Sequence, residues 1–72
     1  MEKVIFHTSI ATLLIPVKAL STYRSKHNAV NRMKELGGIH AVYTDEVRRL
    51  MNRIRNANRK IERNGWYSNT VA

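Results

Sequence analysis

The sequence predicts a mainly α fold: a small helical domain with a short N-terminal extended segment or strand, a central helix and a long basic amphipathic C-terminal helix. Three patterns carry that prediction. From Thr44 to Gly65, TDEVRRLMNRIRNANRKIERNG, apolar residues recur at helical spacing with cations on the other side. From Lys18 to Leu36, Leu20, Tyr23, His27, Val30 and Met33 or Lys34 fall along one helical line. Near the amino terminus, Lys3 to His7 is rich in the β-branched and aromatic residues that suit a strand. A chain of 72 residues allows one small domain, divided into an apolar N-terminal segment (1–17), a helix (18–36), a long basic helix (44–64) and a tail (66–72).

The N-terminal segment contains the most apolar run, Val4 to Val17. It is shorter than the about 20 apolar residues that a membrane span needs, and His7, Thr8, Ser9 and Thr12 interrupt it. As a secretory signal it is poor as well, because Glu2 offsets Lys3 in what would be the basic n-region. The run is therefore expected to be core. Phe6, Ile10, Leu13, Leu14 and Val17 also sit at helical spacing, with Ser9 available as an N-cap. Pro16 lacks a backbone donor and biases Ile15 away from helical angles. A strand or extended arm to His7, a brief helix from Ser9 to Ile15 and a restart at Pro16 are expected.

The central helix has an ill-marked start, with Ser21, Thr22 or Ser25 as possible caps, and a well-marked end at Gly37-Gly38. Residues Ile39 to Tyr43 read either as a short strand or as a connector that packs Ile39 and Val42 on the core, with Tyr43 as a staple on the first turn of the next helix.

In the long helix every local signal agrees. Thr44 is the N-cap, Asp45 and Glu46 lie at the positive end of the dipole, Arg59, Lys60 and Arg63 lie toward its negative end, and Gly65 is the stop. Asp45 reaches Arg49 at the i,i+4 spacing. Val47, Leu50, Met51, Ile54, Ala57 and Ile61 form a stripe about 120° wide, which suits a helix packed on one layer. Asn58 lies on that stripe, where a polar residue can set register if two helices pair or can sit at an edge with access to water; Leu50, Met51, Ile54, Asn58 and Ile61 are the candidate self-association surface. Trp66 is expected to fold back onto the stripe, and the tail beyond Tyr67 to be loose.

Charge points to a class of partner. Thirteen Lys and Arg against five Asp and Glu give a formal charge of +8, a property that speaks of partners rather than of fold. Seven of those cations lie on the long helix, and six of the seven are Arg, whose fork matches phosphate bidentately. Arg55, Arg59 and Arg63 follow one another at i,i+4, where like charges repel unless an anion relieves them. The candidate surface for nucleic acid, DNA or RNA, or for an acidic protein is Arg48, Arg49, Asn52, Arg53, Arg55, Asn56, Arg59, Lys60 and Arg63, with Arg24, Lys26, Arg32 and Lys34 as a second basic surface.

Against an enzyme stand the scattered positions of His7, His27 and His40, which suggest neither a triad nor a metal site, and the lack of a Gly-rich phosphate loop. No cofactor or metal is expected. The small size and missing catalytic set resemble the accessory inhibitors, adaptors and assembly subunits common in phages and bacteria, a likeness of composition only. A basic amphipathic helix beside an apolar run also suits the surface of an anionic membrane, a weaker alternative. A chain this short buries only about 60% of its unfolded surface, so a homo-oligomer or a place in a larger assembly is expected. The absence of Cys fits a reducing, cytoplasmic setting.

Overall fold

A computed structural model describes residues 2–71 of the chain. Strands β1 (Lys3–His7) and β2 (Thr12–Pro16) precede a 3-10 turn (Val17–Ala19) and helix α1 (Leu20–Glu35). A second 3-10 turn (Gly38–His40) leads to helix α2 (Asp45–Asn64), and a two-residue strand β3 (Asn69–Thr70) follows. The fold is mainly α, with a small antiparallel sheet of order β1-β2-β3.

The N-terminal segment departs from expectation. Ser9 to Ile15 is not a helix: residues 8–11 are a hairpin loop, and Thr12–Pro16 pairs with β1 in the register Val4 with Ile15 and Phe6 with Leu13. The capping chemistry is present one residue earlier than expected and holds a turn. The Thr8 hydroxyl accepts from the Ala11 N–H at 2.9 Å and donates to the Ala11 carbonyl at 2.8 Å. Antiparallel pairing then overrides the helical spacing, because the alternation of β1 and β2 puts Val4, Phe6, Leu13 and Ile15 on one face while Ile5 and Leu14 take the other.

Helix α1 starts on Ala19 with no side-chain cap, so none of Ser21, Thr22 and Ser25 caps it. It ends at Gly37, whose φ of 113° only glycine adopts readily. The connector is neither a strand nor packed on the core: Ile39, Val42 and Tyr43 are 96%, 78% and 68% exposed, so Tyr43 does not bury itself as a staple. In α2 the local signals hold. The Val47 N–H donates to the Thr44 hydroxyl at 3.2 Å. At the other end Gly65 is left-handed, and the Trp66 N–H reaches the Ile61 carbonyl at 2.9 Å, closing the helix in a Schellman turn. Asp45 pairs with Arg48 at 3.8 Å rather than with Arg49.

That turn sends the tail back to the sheet. Trp66 packs against a core of Ile15, Ala19, Tyr23 and Ile61, with Val4, Phe6, Leu13 and Leu20 around it. The Tyr23 hydroxyl donates to the Trp66 carbonyl at 2.6 Å. Beyond Tyr67 the tail is not loose, since Asn69 and Thr70 pair with Leu14 and Leu13 of β2.

The helices pack against each other, and the sheet lies over the part of the pair that carries Ala19, Tyr23 and Ile61. Phe6 lies over Tyr23 and His27, with ring centroids 6.4 and 5.3 Å apart. Further along the same line of α1, Val30 and Lys34 are beyond the sheet and border an open apolar groove with Met33, Val47, Met51 and Ile54.

Two outcomes follow for stability. Tyr23→Phe strands the Trp66 carbonyl and should cost about 1–2 kcal/mol in denaturant unfolding. His27 is held below its ordinary pKa, first by burial and then by Lys26 and Lys34. Its folded form therefore binds the proton less well than the unfolded chain does. The associated stability should be complete above the unfolded value near pH 6.5 and fall away as pH drops through the lowered one. The melting temperature of His27→Gln should lack that acid-side decline.

Candidate nucleic-acid interface

On the side of the helix pair away from the sheet lies a second groove with opposite chemistry. Its α2 wall is Arg49, Asn52, Arg53, Asn56 and Lys60, its α1 wall is Ser21, Thr22 and Ser25, and Ala57 lies between them. The groove is open, about 590 Å³ in volume. Helical spacing explains the grouping. Residues 49, 53, 56 and 60 repeat at i,i+4 and i,i+3 along one edge of α2, next to the stripe that binds α1, and Ser21 and Ser25 are one turn apart on α1.

Among the described residues, Arg49, Arg53 and Lys60 have no acidic partner within salt-bridge reach. Lys60 instead holds its ammonium 5.9 Å from the Trp66 ring centroid, a cation–π contact that leaves its charge uncompensated. Three cations and three hydroxyls thus border one trough, all donors that suit phosphate oxygens, with the Asn52 and Asn56 carboxamides on its α2 wall.

The remaining predicted cations are spread differently. Arg55 and Arg59 border a shallow concavity with Met51, Ile54, Asn58 and Glu62. Arg63 is exposed, and Arg48 is exposed and near Asp45. On α1, Arg32 is engaged: its guanidinium meets Glu46 at 2.7 Å and Glu35 at 3.0 Å, and both carboxylates raise its pKa. Lys34 borders the apolar groove on the other side, and neither Arg24 nor Lys26 lines the polar groove. What α1 supplies there is hydroxyls, which a search for cations overlooks. Their signal in the sequence is the Ser21, Thr22, Ser25 spacing, legible as a polar face once the helix is known to begin before them.

The predicted self-association surface also divides. Leu50 and Ile61 are buried within the chain, at 9% and 7% exposure, and so are unavailable to a partner. Met51 and Ile54 line the open apolar groove. Asn58 is exposed at the margin of the stripe rather than within the helix seam.

No family model, curated protein or solved structure matches this chain. Among the described residues no group of three or more His, Cys, Asp or Glu could hold a metal ion, and no helix is long and apolar enough to cross a membrane.

Proposed function

We propose that this protein binds the phosphate backbone of nucleic acid through the groove between α1 and α2. The observation that carries this reading is the convergence of unpaired Arg49, Arg53 and Lys60 with Ser21 and Ser25 across one open trough. Like charges at adjacent turns of α2 cost helix stability in isolation. A chain of phosphates relieves that cost and releases condensed counterions, which gives affinity that falls with salt. An acidic protein surface would meet the same cations, but the hydroxyl wall favours the denser oxygens of phosphate.

A second reading rests on the open apolar part of the sheet-side face. Val30, Met33, Val47, Met51 and Ile54 continue the surface on which the sheet packs, and the exposed Ile39, Val42 and Tyr43 of the connector extend it. An apolar surface contiguous with an intramolecular core interface fits a second copy of this chain, which would also supply the stabilisation that a small core lacks.

For the first reading, the salt dependence of duplex binding measured by fluorescence anisotropy is decisive. Arg49→Gln, Arg53→Gln and Lys60→Gln together should weaken binding and flatten the log K against log salt slope by about 3. The helix content should be unchanged. Absence of binding at low ionic strength would end the reading. For the second, light scattering of nuclease-treated protein at moderate salt should report a dimer that Tyr43→Ser with Met51→Lys converts to a monomer. A monomeric wild-type protein at high micromolar concentration would exclude self-association by this face.

A further inference from the structure

We infer that α2 enters the major groove of duplex DNA, with Asn52, Arg55, Asn56, Arg59 and Arg63 presented to base edges. This rests on the phosphate-binding reading and adds to it a substrate class and a mode of recognition. The buried side of α2 is Val47, Leu50, Ala57 and Ile61. At about 100° per residue, the five named residues occupy an arc of roughly 100° on the opposite side, and all five are exposed. No acidic or apolar residue falls within that arc from Asn52 to Arg63: Asp45 and Glu46 lie at the start of α2, and Glu62 borders the ridge where it meets Arg55 and Arg59, on the side of Met51 and Ile54. Among the described residues, the Asn52 and Asn56 carboxamides make no side-chain hydrogen bond, whereas Asn64 spends its amide on the Lys60 carbonyl at 2.8 Å.

The dimensions and the chemistry agree. A helix is about 10–12 Å across with its side chains, and the major groove of B-form DNA is about 12 Å wide. The ridge runs about 17 Å along the helix axis, the rise of about five base pairs. Arg is the principal reader of guanine O6 and N7, and Asn is a bidentate reader of adenine N6 and N7. With the ridge in the groove, Arg49, Arg53 and Lys60 face one phosphate strand, and Ser21 and Ser25 of α1 close over the same strand. The other flank of α2, with Met51, Asn58 and Glu62, offers the second strand little. Duplex RNA does not admit a helix, because its A-form major groove is deep and narrow. Single strands would call for aromatic platforms, yet Tyr43 lines the apolar groove, and no aromatic residue lies on the ridge or lines the polar trough.

The test compares the full chain on a DNA duplex of about two helical turns and on duplex RNA of the same sequence, at one salt concentration. It then adds competition by methyl green, which occupies the major groove, and by distamycin, which occupies the minor groove. DNA should bind on the order of tenfold more tightly than RNA, and methyl green but not distamycin should displace the protein. Selection from a random duplex pool should enrich a short A- and G-containing core. Asn52→Ala with Asn56→Ala should erase that enrichment while the salt slope stays within about one unit of the wild type. Equal binding to DNA and RNA, or displacement by distamycin alone, would overturn major-groove entry and leave phosphate binding standing. Failure to bind any polyanion at low salt would overturn both.

Discussion

The seam between α1 and α2 is the contact on which the other features depend. Ala29 and Ala57 are 0% and 8% exposed, and such small residues let two helices pack closely. Val47, Leu50 and Ile61 fill the rest of the α2 side, each large side chain contributing on the order of 1.5–3 kcal/mol by leaving water. With the helices held side by side, the chain has two broad faces of unlike character. One receives the sheet over part of its length and stays apolar beyond it. The other is a polar trough walled by cations and hydroxyls. Neither groove exists on a single helix, so the seam creates both.

Charge is distributed with the same asymmetry. Glu35, Asp45 and Glu46 gather at the connector end of the helix pair, where they meet Arg32 and Arg48. Further along α2 the described residues form no ion pair, although Glu46 borders one concavity with Arg49 and Arg53, and Glu62 borders another with Arg55 and Arg59. Six cations without a salt-bridge partner among the described residues, Arg49, Arg53, Arg55, Arg59, Lys60 and Arg63, lie along one helix of 20 residues, while Lys3, Lys18, Arg24, Lys26 and Lys34 lie elsewhere on the chain.

Several departures from the sequence reading share one cause, which is that a contact beyond the reach of one helical turn, or the lack of one, decided the outcome. Residues 9–15 have helical spacing and a capping hydroxyl nearby, yet β1 offers Ile15 and Leu13 a pleated neighbour, and a period-2 face wins. The tail has no strong strand signal in Asn69-Thr70, but the Schellman turn at Gly65 aims it at the open edge of β2. Ile39 and Val42 read as core and are exposed, because the described residues leave the connector that carries them uncovered, with Ile39 at the border of the open apolar groove. Within α2 the stripe was legible as a stripe. Which members of it would be covered was not, since Leu50 and Ile61 face α1 and the sheet-side core while Met51 looks onto the open groove.

By itself the sequence determined α2 and its chemistry: the Thr44 cap, the acidic first turn, the Arg- and Asn-rich exposed side and the glycine stop. Each of these acts between residues no more than about one helical turn apart, so no long-range contact is needed to set them. Only the tertiary structure decided that Arg32 is engaged by Glu46 of the other helix, and that Ser21 and Ser25 line one trough with Arg49 and Arg53. Those relations lie between different helices. Their geometry depends on the seam, the connector and the sheet being in place together, and no local spacing encodes it.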